Sequence, residues 1–129
     1  MTTTFQFDHQ RLDVYKAALT FAVSAHKLSD ELPKNRKHLA DQLRRASAST
    51  VLNIAEGAGE WESKEKARFY RIARRSATEC AAAIDILLEL GTVERAATGD
   101  SLGVLYRIVC MLVKMIRGRM PGDGKAEAS

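Results

Sequence analysis

Proline and aromatic side chains are scarce in this chain, and no internal repeat or low-complexity stretch interrupts it. Two prolines and 6% aromatics in 129 residues suit a helical protein better than a sheet protein. Cysteine is limited to Cys80 and Cys110, each inside an apolar helical pattern. Two buried thiols of a cytosolic protein are the expectation, and a single disulfide in an exported protein is the alternative. Long apolar runs are lacking: no stretch approaches the roughly 20 apolar residues of a membrane span. Met1 to Phe7 carries no basic segment followed by an apolar one. These absences predict a cytoplasmic protein with no membrane partner. The net charge of +4 is a mild basic bias, compatible with a nucleic-acid partner but naming none.

What is present is helical period. One domain is expected at this length. Residues 1–7 read as a flexible polar lead, 8–117 as four helices near 9–31, 36–59, 63–91 and 101–117, and 118–129 as a flexible tail. The first helix shows Leu12, Tyr15, Leu19, Ala22 and His26 at steps of three and four, and should stop before Pro33. The second carries Leu39, Leu43, Ala46, Thr50, Ile54 and Gly57, with Gly57 and Gly59 as ending signals. The third carries Phe69, Ala73, Ser76, Cys80, Ala83, Leu87 and Leu90, with Ser63 as its cap and Gly91 as its end. Thr92 to Asp100 reads as a loop. Asp100 or Ser101 then caps a fourth helix whose face is Leu102, Leu105, Val109, Leu112 and Ile116. Short turns between four helices predict an all-α, antiparallel up-down-up-down bundle.

Two of these helices have more apolar surface than one bundle requires. The fourth adds Val104, Ile108, Met111 and Met115, and the first adds Val14, Ala18, Phe21, Ala25 and Leu28. A bundle helix needs one apolar stripe. The surplus predicts a homo-oligomer, because large exposed apolar patches are unusual on monomers.

Patterns of reactive chemistry are missing. The residues three before His9, His26 and His38 are Gln6, Val23 and Asn35, so the Glu-x-x-His pairs of a di-iron bundle are lacking. No His-x-x-x-His or Cys-x-x-Cys pair suggests zinc, and no glycine-rich phosphate loop precedes a helix. No catalytic residue, metal or cofactor is expected. His26 is read as an interior or interface side chain. Trp61, in the turn after the second helix, is read as closing the end of a core, with stacking on a base as its other use.

Two polar constellations remain. Gln42, Arg45, Ser49, Asn53, Glu56 and Glu60 form a line along the second helix. A half-buried line of this kind must be internally hydrogen-bonded. Its expected role is an interface that fixes register, with a ligand or catalytic groove built on Arg45, Asn53 and Glu56 as the other possibility. On the third helix, Lys64, Arg68, Arg71 and Arg75 fall within an arc of about 60° away from the core, with Lys66 and Arg74 beside it. After Ser76 the charge reverses through Glu79, Asp85 and Glu89. Cations one turn apart can track phosphates, and repetition around an oligomer would add their fields.

Four segments resemble one known family. Asn53-Ile54-Ala55-Glu56-Gly57 matches its Asn-Ile-Ala-Glu-Gly motif, and Gln42-Leu43-Arg44-Arg45-Ala46 with Ser49 matches its Gln-Leu-Arg-Arg-Ala segment. Phe69-Tyr70-Arg71-Ile72-Ala73 with Ser76 and Glu79 is similar to its third helix, and Leu12-Asp13-Val14-Tyr15-Lys16-Ala17 to its opening helix. The family is that of the proteins encoded in intervening sequences of bacterial 23S ribosomal RNA genes, the S23 family. The resemblance implies a ring-like homopentamer and no enzymatic activity. It also implies distant kinship with the accessory variability protein of diversity-generating retroelements, which binds reverse transcriptase and nucleic acid through a basic surface. Val51 stands where the family usually has proline, which predicts a straighter second helix. Arg75 stands where a small residue is common and lengthens the basic row.

The combined expectation is a non-enzymatic homo-oligomer that binds RNA or DNA backbone, as an accessory to a ribonucleoprotein or reverse transcriptase. Lys64, Arg68, Arg71, Arg74 and Arg75 would contact phosphates, helped by Arg44. Gln42, Arg45, Ser49, Asn53, Glu56 and Gly57 would hold the fold. A protein-interaction scaffold without nucleic acid is the alternative.

Overall fold

The computed structural model describes residues 5–118; the expected tail beyond Gly118 and the first residues of the lead lie outside them. Four helices follow in order: α1 Asp13–Glu31, α2 Lys37–Gly59, α3 Ser63–Glu89 and α4 Arg95–Arg117. Short 3-10 turns at Asp8–Arg11 and Lys34–Arg36 precede α1 and α2. The described residues contain no strand, and the fold is an all-α four-helix bundle.

The core is small-residue rich. Val14, Ala18, Phe21 and Ala25 of α1 meet Leu43, Ala46 and Ile54 of α2, Tyr70, Ala73, Ala77, Cys80 and Ile84 of α3, and Leu105, Ile108 and Leu112 of α4. Alanines at the contacts let helix axes approach closely, and the larger side chains fill what remains. The interface between α2 and α3 is the most extensive in the bundle. Two buried hydroxyls are satisfied within their own helices: Ser29 Oγ donates to the Ala25 carbonyl at 2.8 Å and Thr50 Oγ1 to that of Ala46 at 2.9 Å.

Five expectations change. On α1 the stripe treated as surplus is the core face, whereas Leu19, Val23 and His26 are exposed. Both stripes are apolar, and the alanine-bearing one packs closer. His26 Nδ1 lies 2.9 Å from the Ala22 carbonyl, a bond within its own helix and not an interior contact. Helix α4 begins at Arg95 and not near 101, because Thr98 is buried and its hydroxyl donates to the Glu94 carbonyl at 3.1 Å. Neither Ser63 nor Asp100 caps a helix. Contrary to the expectation from apolar runs, α4 is long and apolar enough to cross a membrane by length and composition. It nonetheless puts Leu105, Ile108, Leu112 and Ile116 into the core. Only 22% of its most apolar stretch is buried, so much of its apolar surface is uncovered in one chain.

Gly91 ends α3 as expected. Its φ of 72° is a left-handed conformation that favours glycine, and it lets Thr92 N–H reach the Leu87 carbonyl at 2.9 Å. At the same end Arg36 Nε donates to Thr92 Oγ1 at 3.0 Å, joining the α1–α2 turn to the α3–α4 turn. Cys80 is buried with its thiol pushed up to about 12 by desolvation and the neighbouring Glu79, and Cys110 is exposed. Both are free thiols.

Candidate nucleic-acid interface

The corner between α2 and α3 sets up the candidate surface. The last carbonyls of a helix lack intrahelical donors. Lys66 Nζ supplies them here, donating to Gly57 O at 3.1 Å and Ala58 O at 3.0 Å. This lysine, expected beside the basic row, is thereby committed to closing α2. Gly57 does not end α2, which continues to Gly59. A β-carbon at position 57 would come within 2.5 Å of Cε1 of the Tyr70 ring, itself 1% exposed. The glycine of the Asn-Ile-Ala-Glu-Gly motif is thus required by a ring lying flush on the helix backbone.

The polar line of α2 faces α3. Gln42 Nε2 donates to Glu79 Oε2 at 2.7 Å, and Ser49 and Ser76 share a hydrogen bond of 2.8 Å between their hydroxyls. Asn53 Nδ2 donates to Ser49 O at 2.9 Å and Ser49 Oγ at 3.1 Å. Arg45 leans back on Gln42 Oε1 at 3.5 Å. Glu56 is exposed and joins Phe7, Asp8, His9, Ala55, Gly59 and Glu60 around a hollow of about 350 Å³. The line therefore joins two helices through Gln42 and Ser49, with Asn53 bracing Ser49 within α2, while Glu56 stands apart at the α2 end.

The row on α3 points the other way. The buried side of α3 runs through Ala73, Ser76, Cys80 and Leu87. At about 100° per residue, Lys64, Arg68, Arg71 and Arg75 lie opposite it. Lys64, Arg68 and Arg75 are exposed, and Arg71 is half-buried. Arg74 is also half-buried, about 100° round from Arg75, on the side whose Ala77 and Ala81 line a groove against α4. Arg68 Nε donates to Glu65 Oε2 at 2.8 Å, and its guanidinium sits 4.4 Å from the Phe69 ring centroid. Among the described residues no salt bridge engages Lys64, Arg71, Arg74 or Arg75. Beyond Ser76 the outward side carries Asp85 and Glu89, so the charge of α3 is divided along its length.

Arg44 is not brought to this row. It reaches Asp30 of α1 at 3.0 Å and Asp41 at 3.1 Å, on the flank of α2 away from the Ser49 line. Its charge is balanced there by two carboxylates. Asp41 also accepts from Lys37 Nζ at 2.7 Å, and that hydrogen bond leads the effects holding its carboxyl below the usual range. Trp61 closes no core: it is 97% exposed.

The fold and the site together define a small helical bundle with a satisfied polar seam between α2 and α3 and a one-sided cationic surface on α3. The described residues hold no cluster of His, Cys, Asp or Glu able to bind a metal ion. The chain matches the family model described as 23S rRNA-intervening sequence protein over residues 10–114, most of its length, and it belongs to that family. No curated protein sequence matches it.

Proposed function

We propose that this chain is a non-enzymatic, homo-oligomeric bundle that binds RNA or DNA backbone through the outward face of α3. The observation that carries the reading is the division of charge along that helix. Lys64, Arg68, Arg71 and Arg75 span about 16 Å, and among the described residues only Arg68 of these forms a salt bridge. Cations held at one-turn spacing without internal partners are suited to displacing counterions from phosphates. Arg74 adds charge at the margin of the row. The accessory role, beside a ribonucleoprotein or a reverse transcriptase, follows from the family likeness alone.

The order of contacts supports an antiparallel arrangement: Gln42 meets Glu79 and Gly57 meets Tyr70, so early α2 lies beside late α3. The uncovered apolar surface of α4, with exposed Leu19 and Val23 on α1, supports self-association. A ring-like homopentamer is the assembly the family likeness implies. It would repeat the basic row around one particle and sum the fields. A monomer mass in light scattering at micromolar concentration would remove the oligomer from this reading.

The test is binding of a labelled structured RNA and a matched duplex DNA across a salt series. Affinity falling steeply with salt is expected, and the slope gives the number of phosphates engaged. No binding at low salt would leave the row as a solvated face. The same exposed apolar surface would then favour the second reading, a scaffold presenting several copies of a protein-binding surface, marked by partner capture that survives nuclease treatment.

A further inference from the structure

We propose that Trp61 is a base-stacking platform at the end of the α3 row, which makes unpaired nucleic acid the ligand in preference to a duplex; the inference rests on the nucleic-acid reading above. An indole at 97% exposure leaves a large apolar surface in water with no intramolecular return. The position is not a loose end. Trp61 lies in the three-residue connection Glu60–Glu62, between an α2 terminus closed by Lys66 and the first turn of α3. Its Cα is at most about 11 Å from that of Lys64, the first cation of the row. An exposed planar ring a few residues from a line of cations is a combination suited to single strands, because bases stack while the backbone follows the charge.

The neighbouring acids sharpen the choice. Glu60 and Glu62 flank Trp61 and repel a phosphate at that point, but they do not oppose a neutral base. A duplex keeps its bases stacked inside and would bring phosphates against those carboxylates. A single strand can lay its backbone along Lys64, Arg68, Arg71 and Arg75 and turn a base outward onto the indole.

Trp61 is the only tryptophan, so its emission reports the site directly. The experiment titrates the full chain with a labelled twelve-nucleotide oligo(dT) and with a blunt duplex of equal length. Anisotropy of the label and quenching of the tryptophan are read together at low salt. Saturable quenching by the single strand, over the same concentrations that raise its anisotropy, is expected, with no quenching by the duplex. Trp61→Ala should weaken single-strand binding about tenfold and leave duplex binding unchanged, and Trp61→Phe should restore most of the loss. Circular dichroism checks that both variants fold. Salt-sensitive binding without quenching, or equal affinity in Trp61→Ala, would overturn the stacking role and leave the row standing. Absence of binding by either ligand would remove the nucleic-acid reading and this inference with it. An emission maximum that shifts to the blue with protein concentration alone would place Trp61 between copies of the chain and overturn the proposal.

Discussion

The two polar lines of this bundle are written in nearly the same periodicity and behave oppositely. On α2, Gln42, Ser49 and Asn53 end on partners within the chain, two of them reaching Glu79 and Ser76 of α3. On α3, among the described residues, the outward cations Lys64, Arg71 and Arg75 enter no salt bridge, whereas Arg68 pairs with Glu65. The difference teaches where specificity of fold and capacity for binding are stored. A satisfied polar seam tolerates little change and offers nothing to a ligand, whereas an unsatisfied row contributes little to folding and retains its charge for something else.

Changing the row should give the largest separation of the two. Arg68→Glu, Arg71→Glu and Arg75→Glu combined should weaken nucleic-acid binding by at least about 100-fold at low salt, with the helical content and urea midpoint of the parent. Unchanged affinity would sink the assignment of these residues. On the seam side, Gly57→Val forces a branched side chain into the Tyr70 ring and should cost about 3 kcal/mol in urea unfolding, with binding per folded molecule unaltered. A parent-like midpoint would mean that the ring can move aside. Ser76→Ala is smaller: it strips Ser49 of its cross-helix partner and should cost about 1 kcal/mol. The Ser49→Ala, Ser76→Ala pair should cost less than the sum of the single changes, and strict additivity would deny the coupling.

The smallest effect lies at the start of α2. The carboxyl of Asp41 is held below its ordinary value of 3.8, first by the hydrogen bond from Lys37. The folded state thus favours the charged form, a stabilisation complete above that ordinary value and lost as pH falls through the lowered one. Carboxyl NMR titration should place Asp41 below 3.8 in the parent and nearer to it in Lys37→Ala. An unmoved titration in the variant would assign the shift elsewhere.

The sequence made some of this legible and hid the rest for physical reasons. The buried face of α2 was readable because that helix has one apolar stripe, and Leu39, Leu43, Ala46, Thr50, Ile54 and Gly57 are all inside as expected. On α1 two apolar stripes compete, and only packing against the other helices decides that Ala18 and Ala25 face inward while Leu19 faces out. The start of α4 was misread because Thr92, Gly99 and Asp100 compose like a loop, and burial of Thr98 overrides that local preference. Spacing exposed both polar lines but could not pair them. Arg44 looked like a helper of the row until Asp30, distant in sequence, claimed it across the α1–α2 contact. Helix α2 runs unbroken through Val51.

The contrast between the two cysteines makes the unaltered chain its own instrument. Burial keeps the Cys80 thiol protonated at neutral pH, while Cys110 is open to solvent, lining a groove with Arg107 and Met111 of α4 and Asp13 and Ala17 of α1. A maleimide dye should therefore attach at one site without mutagenesis, on the flank where self-association is proposed. Energy transfer from the single indole to that dye can then measure distances within and between subunits. The rate of dye attachment against protein concentration would report how far the α4 flank is shielded as copies assemble.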